Sequence, residues 1–376
     1  MPPRAPTVPV LTDGAVTLRG PRPEDAQGSW EQCQDPLSQR WTSVPLPYSL
    51  EDARRYVGDI IPGGWATDRE WHFVLEHDGR FGGTLSLRNE GDRRAELAYG
   101  SHPGVRGTGA MERGVRLLLD WGFAPESDGG RGLQTVIWWA HVGNWASRKL
   151  AWRLGFAIEG SARKWLEQRG ELRDAWVGTL LRDDARAPRH PWYDVPRIVG
   201  AGIVLRSHRD EDAERVRQAG DDQRTSYWLG GMPAPYTLAD AEQFLRDRPL
   251  GMATGTAVHW MVADPGNDQL LGTVSVLRIA DGTGEIGYWT HPDARGRGVM
   301  TEAVRLAVRH AFVDPEAGGL GLARLTLFAA VDNAASRHVA EANGFRPTGI
   351  ERQAINCRDG RHDMAGYDLL PTDLPV

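Results

Sequence analysis

A self-similarity running through nearly the whole chain constrains the fold more than any local pattern, because an internal repeat fixes the number and kind of domains before any element is assigned. Tyr99-Gly100-Ser101-His102-Pro103, followed by Arg106-Gly107-Thr108-Gly109-Ala110-Met111, returns 189 positions later. The second version is Tyr288-Trp289-Thr290-His291-Pro292 followed by Arg295-Gly296-Arg297-Gly298-Val299-Met300. At the same offset Gly83-Thr84-Leu85-Ser86-Leu87 is answered by Gly272-Thr273-Val274-Ser275-Val276. Asn144-Trp145-Ala146-Ser147 is answered by Asn333-Ala334-Ala335-Ser336, and Gly155-Phe156 by Gly344-Phe345. Thr17-Leu18-Arg19 and Val204-Leu205-Arg206 extend the match towards the start of each copy, as do Tyr48-Ser49-Leu50 and Tyr236-Thr237-Leu238. A length of 376 residues suits two domains of middling size. The sequence therefore predicts one domain twice, over 1–183 and 202–376, with a linker over 184–201. Within that linker, Ala185 to Trp192 has two prolines, mixed charge and no apolar period.

Each copy alternates helix and strand, the pattern of an α/β fold. Ser49 with Asp52, and Thr237 with Asp240, read as capping pairs at the start of a short helix. Phe73-Val74-Leu75 and Gly83 to Leu87 read as strands around a turn at Asp78-Gly79. Glu285 to Thr290 is a further strand, ended by His291-Pro292. Val115, Leu118, Leu119 and Phe123 form the apolar stripe of a helix, matched by Val304, Ala307, Val308, Ala311 and Phe312. Thr135 to Trp139 and Arg324 to Phe328 read as buried strands, each followed by a helix through Ser147 or Ser336.

Composition narrows the setting. Hydrophobic residues at 40% and charged residues at 25% are the balance of a globular protein. The absence of a long apolar run argues against a membrane span, and the opening Met1-Pro2-Pro3-Arg4 against a secretory leader. Cys33 and Cys357 fall in opposite copies, which supports neither a disulfide framework nor a metal site and points to the cytoplasm. Net charge is -6, with the acidic excess in the second copy, so no concentrated basic face for nucleic acid is expected.

The glycine segments carry the chemistry. A strand, a glycine-containing turn and a helix together put free N–H groups around an anion, and the helix adds its positive dipole end. Arg295 and Arg297 stand where a diphosphate would use them. Neither copy has the three-glycine fingerprint of a dinucleotide fold followed by an acidic residue. What gives the pattern weight is its recurrence in the same context, each time followed by Asn-x-x-Ser and Gly-Phe. In this combination each copy resembles the GNAT superfamily of acyltransferases, and in particular its RimJ/RimL-like branch, which acetylates ribosomal-protein N-termini. The resemblance covers about Val16 to Leu181 and about Ile203 to Leu370. It implies a mixed sheet flanked by helices, with central strands splayed to admit the pantetheine arm of an acyl-CoA, most simply acetyl-CoA.

Carried over residue by residue, the resemblance assigns the pyrophosphate loop to Arg106, Gly107, Thr108, Gly109, Ala110 and Met111, and to Arg295, Gly296, Arg297, Gly298, Val299 and Met300. Asn144 and Asn333 match an asparagine on the CoA arm, and Ser147 and Ser336 a serine near the thioester sulfur. Glu96 and Glu285 match the position of a general base. Two features depart from the family pattern: the loop ends in Met111 or Met300 where Gly or Ala is usual, and the tyrosine used elsewhere as general acid falls near Ala151 or Ala340, which have no proton to give. Serine or water is left for that task.

Acyl transfer needs a neutral amine, a donor for the oxyanion and a stabilised thiolate. An α-amine with a pKa of about 8 needs less help than a lysine at about 10.4. Glu96 or Glu285 would take the proton directly or through water, and a backbone N–H near Trp289 or Thr290 would hold the oxyanion. The acceptor is then an amine-bearing small molecule or a peptide N-terminus, with no metal, nucleic acid or membrane required. The fused pair would act as a monomer imitating a dimer, or as a homodimer. Twelve of the 15 tryptophans precede residue 200, and Trp138, Trp139, Trp145 and Trp152 become Leu327, Phe328, Ala334 and Glu341 in the second copy. The acceptor pockets therefore need not match. Three readings stand at this level: two catalytic domains, one catalytic domain beside a binding module, and a non-catalytic acyl-CoA sensor.

Overall fold

The structure, a computed structural model, describes residues 7–374. The chain divides into two compact units, Met1–Arg189 and His190–Val376. Each contains one mixed sheet of eight strands with helices on its faces. In the first unit the order across the sheet is Leu11–Thr12, Val16–Arg19, Glu70–His77, Arg80–Gly91, Arg94–Ser101, Thr135–His141, Glu171–Leu181 and Ala157–Gln168. The second repeats it with Ile198–Val199, Val204–Arg206, Val258–Ala263, Leu270–Ala280, Thr283–Thr290, Arg324–Ala330, Gly360–Leu369 and Arg346–Cys357. All neighbours are antiparallel except one central pair in each sheet, Arg94–Ser101 with Thr135–His141 and Thr283–Thr290 with Arg324–Ala330. Among the described residues no helix is long and apolar enough to cross a membrane.

The segment read as a linker is partly built into the units. Arg189 donates to the Gly155 carbonyl at 2.9 Å and pairs with Asp184 at 2.6 Å, while Ile198–Val199 adds an edge strand beside Val204–Arg206. A strand of two residues has no period for a sequence pattern to reveal. The helix capped at Ser49 is also longer than its sequence cue. Leu50–Arg55 continues through a π-helical turn at Tyr56–Ile60 into Ile61–Ala66, and its counterpart Leu238–Ala253 contains Pro249. Proline costs about 3 kcal/mol in a helix interior. Buried Ile61 and Trp65 in one copy, and Leu245 and Met252 in the other, offset that cost through packing. Both capping boxes form as the sequence predicts.

The core of each unit lies between one sheet face and the helix after the glycine segment. In the first, Leu18, Phe73, Leu75, Leu85 and Leu87 meet Val115, Leu118 and Leu119 of helix Ala110–Phe123. In the second, Trp260, Val274 and Val276 meet Val304, Ala307, Val308 and Ala311 of helix Val299–Phe312. Part of the tryptophan excess is used here. Trp65, Trp71 and Trp121 surround the Arg131 guanidinium at 5.4, 4.7 and 5.1 Å from their ring centres, a cation–π arrangement.

A buried ion pair ties the first helical turn of each unit to the sheet. Arg19 grips Asp25 with two hydrogen bonds of 2.8 and 2.9 Å, and Arg206 grips Asp212 with two of 2.8 Å. All four side chains are nearly fully enclosed. Removing one partner of such a pair leaves the other charge buried and short of a partner, at a cost of up to about 3–5 kcal/mol; Arg206 would keep its ion pair with Asp268, at 2.8 Å. Asp212→Ala should therefore lower the stability of the second domain by up to that cost in urea unfolding. The double replacement Arg206→Met with Asp212→Leu should lose less, because no charge is left unpaired. Equal losses in the single and double variants would rule this account out.

Candidate active site

The site begins where the parallel strands part. Arg94↔Thr135 through Leu97↔Trp138 are paired, yet the strands run on to Ser101 and His141 without further pairing to each other. In the second unit pairing stops at Ile286↔Leu327 while the strands continue to Thr290 and Ala330. Ala98–Ser101 and Gly287–Thr290 thus line a cleft, with an antiparallel neighbour on the other side only. Trp289 and Thr290 lie on this unpaired stretch. Glu96 and Glu285 precede it, within the paired part.

The glycine segments close one end of the cleft. Gly107 and Gly109 have φ of 78° and 82°, and Gly296 and Gly298 have 71° and 72°, the left-handed region that other residues enter at a cost. A Cβ at any of the four would meet no protein atom within 4 Å, so it is backbone conformation and open space, not packing, that calls for glycine here. The helices that follow start at Ala110 and Val299, and neither Gly109 nor Gly298 brings a capping side chain. Their first N–H groups are those that a helix leaves without a partner of its own. In the first copy Thr108 Oγ1 accepts from the Ala110 N–H at 3.2 Å and donates to the Val105 carbonyl at 2.8 Å. Arg297, its counterpart, is exposed.

The leading arginines are not free, in contrast to the sequence expectation for Arg295. Arg106 is held by Asp35 at 2.6 Å and Ser38 Oγ at 3.1 Å, and Arg295 by Asp222 at 2.5 Å and Thr225 Oγ1 at 2.8 Å. Asp35 and Asp222 also cap the helices Pro36–Trp41 and Gln223–Trp228. Sequence reasoning missed this clamp, although its signal, Asp-x-x-Ser/Thr in both copies, was there to be read.

On the opposite wall stands Asn-x-x-Ser. Asn144 and Asn333 cap their helices, each accepting the N–H of Ser147 or Ser336 at 3.2 Å. Each serine hydroxyl meets a tyrosine from the unpaired strand, at 2.7 Å for Tyr99–Ser147 and 2.9 Å for Tyr288–Ser336. These tyrosines went unassigned from sequence, although the repeat displayed both. Burial raises the Tyr99 hydroxyl and pushes that of Tyr288 up to about 12, so both remain protonated donors. Ala151 and Ala340 are buried.

Glu96 receives Arg88 at 2.8 Å, and burial raises its carboxyl above the ordinary value despite that partner. Glu285 is paired with Arg278. The cavities enclose about 770 Å³ in the first unit and about 600 Å³ in the second. Both are lined by the leading arginine, the two glycines, the methionine, the asparagine, the serine, the tyrosine and the glutamate. Thr108, Ala110 and Arg297 lie off these walls, and Val299, Trp289 and Thr290 on them. The first cavity also carries Trp139, Trp145 and His141, where the second has Phe328, Ala334 and Ala330. His141 Nδ1 is buried without a hydrogen-bond partner among the described residues, and burial, with Arg173 and Arg169 nearby, disfavours its protonation.

A parallel pair that parts beside a left-handed glycine loop, formed twice, matches the mixed sheet with splayed central strands that the resemblance to acyltransferases implies. The sequence profile of the Acetyltransferase (GNAT) domain matches residues 15–157 and 203–346, and the chain belongs to that family, as a GNAT-type N-acetyltransferase with two such domains. Among its relatives, the Bacillus subtilis protein named "Putative ribosomal N-acetyltransferase YdaF" is 30% identical over 178 residues, covering 46% of this chain and 93% of that protein. The Escherichia coli ribosomal-protein-serine acetyltransferase is 33% identical over 102 residues, 27% of this chain and 54% of its own length. Mycobacterium smegmatis RimJ, solved in complex with CoA-disulfide, is 20% identical, with 50% of this chain and 92% of that one covered and a TM-score of 0.44.

The arginine clamp has a pH signature. The hydrogen bond from Arg106 holds the Asp35 carboxyl down to about 2, against an ordinary 3.8. A depressed folded pKa means stabilisation that is complete above the unfolded value and is lost as pH falls through the folded one. Loop order in the first domain, followed by amide NMR of Gly107 and Gly109, should hold above about pH 4 and decay towards pH 2. Asp35→Asn should abolish that acid transition; its survival would place the transition elsewhere.

Proposed function

We propose that each domain binds acetyl-CoA and transfers its acetyl group to a primary amine. The supporting observation is the duplicated convergence of three features on one cavity: a strand that lacks a partner on one side, a left-handed glycine loop before a helix N-terminus, and a hydroxyl pair shared by that strand and the facing helix. The N–H groups of 107–111 and 296–300 that the protein itself does not bond would take the pyrophosphate; Thr108 and Ala110 already donate to Val105 and to the Thr108 hydroxyl, respectively. Arg106 and Arg295, neutralised by their aspartates, shape the loop. The pantetheine arm would lie between the parted strands, near Asn144 or Asn333, with its amides bonded to the strand edge that lacks a partner. The thioester carbonyl would then meet a backbone N–H near Trp289 or Thr290, or the equivalent in Gly100–Ser101. Preorganised donors of this kind favour the oxyanion over the ground state.

For the amine, Glu96 or Glu285 acts as proton acceptor, directly or through water. The raised pKa of Glu96 brings it nearer to neutral pH and makes it a better base than an exposed carboxylate. Ser147 or Ser336 donates a hydrogen bond to the sulfur as negative charge develops there. Holding both reactants in line contributes more to the rate than either side chain. A peptide α-amine is the favoured acceptor, because a relative is named as a ribosomal-protein-serine acetyltransferase and because such an amine is about half neutral near pH 8, where a lysine is almost wholly protonated.

Calorimetry on the whole chain should find two acetyl-CoA sites. The site beside Arg297 should be the tighter, and its advantage should shrink with salt, since an exposed guanidinium is screened. A stoichiometry of one would overturn the two-site reading. Gly109→Trp and Gly298→Trp should each remove one site and leave the other. Glu96→Gln, in a chain whose second site is blocked by Gly298→Trp, should lower kcat by about a hundredfold for amines of high pKa and leave acetyl-CoA affinity unmoved. Full turnover across the pH range would take Glu96 out of the mechanism.

A further inference from the structure

Ser147 and Ser336 occupy equivalent places, but the hydrogen bonds around them differ. Trp138 Nε1 lies 3.1 Å from Ser147 Oγ and 3.3 Å from the Tyr99 hydroxyl. An indole N–H can only donate, and Ser147 Oγ is the nearer of its two acceptors, so the indole fills one lone pair of Ser147 Oγ from the sheet. The Tyr99 hydroxyl is 2.7 Å from Ser147 Oγ and 3.4 Å from the Ser147 carbonyl oxygen; either hydroxyl could donate across the shorter contact, and the length of the carbonyl contact makes Oγ the better acceptor for the phenol hydrogen. The second lone pair is then filled as well. The serine's own hydrogen has no acceptor left in the network and turns to the cavity that Ser147 lines.

In the second domain Leu327 stands in the register of Trp138 and has nothing to donate. Tyr288 meets two acceptors of equal reach, Ser336 Oγ at 2.9 Å and the Ser336 carbonyl oxygen at 3.0 Å. When the phenol donates to the carbonyl, the Ser336 hydrogen turns back to Tyr288 and is lost to the cavity.

We propose that Tyr99 and Trp138 are positioning residues that fix the Ser147 hydroxyl as a hydrogen-bond donor facing the cavity, so that the first domain, unlike the second, has a donor pre-set for the departing thiolate. The proposal rests on the reading of Ser147 as the group beside the thioester sulfur. In the step it serves, the amine nitrogen bonds to the acetyl carbon and its proton leaves by way of Glu96 and water. The C–S bond then breaks with its electron pair on sulfur. Ser147 donates to that charge, and solvent later protonates the thiolate. No other reactant is required. Burial keeps Tyr99 protonated, so the arrangement persists through neutral and moderately alkaline pH.

The test uses the whole chain with Gly298→Trp blocking the second donor loop, or with Gly109→Trp blocking the first. Thiol release from acetyl-CoA is followed with a serine-initiated peptide as acceptor and, without it, as the slower transfer to water. In the first domain Tyr99→Phe and Trp138→Phe should each lower kcat about fivefold, the worth of one hydrogen bond, with KM for acetyl-CoA unchanged. Neither should cost anything further in a Ser147→Ala background. In the second domain Tyr288→Phe should change kcat less than about twofold. Should Trp138→Phe fail to fold, Tyr99→Phe decides the matter by itself. Losses that persist without the Ser147 hydroxyl, an unchanged kcat, or an equal cost for Tyr288→Phe would each overturn the proposal. Acetyl-CoA binding without thiol release under either condition would overturn it too, whereas absence of binding would instead refute the donor-site reading beneath it.

Discussion

In each domain two parallel strands share four residue pairs and then separate, and nearly everything functional hangs on that separation. A strand edge without a partner holds unpaired N–H and C=O groups, which are costly when buried and empty. Here they line a cleft, where a substrate with amide groups of its own can satisfy them. The antiparallel neighbour on the far side stays paired to the strand along the cleft while the near edge stays open. The cleft is thus the product of a rigid sheet that stops pairing at one seam, and needs no moving part.

Around this seam the two domains place their charges differently from a site that simply gathers cations. The leading arginine of each loop is held by an aspartate that also caps a helix from the opposite face. One carboxylate therefore fixes a helix start and a loop conformation together, and the loop is left with backbone N–H groups rather than a free guanidinium to offer an anion. The buried pairs Arg19–Asp25 and Arg206–Asp212 tie the first helical turn to a strand three places away in the same sheet. The first domain departs from the second where its tryptophans sit. Trp138 reaches the serine, Trp139 and Trp145 shape the cavity, and three others enclose Arg131 in the core. One compositional bias thus serves stability in some places and the site in others.

Much of this was legible in the sequence. The repeat set the number of domains, the apolar stripes of 115–123 and 304–312 set the core helices, and the glycines of 107–109 and 296–298 marked a backbone that side chains would obstruct. Each of these is a local property, encoded by spacing or by the conformational freedom of one residue type. The sequence could also name Glu96, Glu285, Ser147 and Ser336 as candidates, because a family resemblance places them in register with known motifs.

Tertiary structure decided the contacts that spacing cannot encode. Tyr99 and Ser147 are 48 residues apart, and Arg106 and Asp35 are 71 apart. Nothing in either local pattern requires the one to find the other; only strand order and the parting of the central pair bring them within hydrogen-bond reach. The same holds for the occupied guanidiniums of Arg106 and Arg295, which composition presents as free charge and the fold commits to carboxylates. Sequence fixes what each residue is able to do, through its propensity and its chemistry. Which partner it meets, and hence whether its charge or hydroxyl is spent on structure or left for a substrate, follows from the three-dimensional path of the chain, because hydrogen bonds and ion pairs depend on distance in space and not along the sequence.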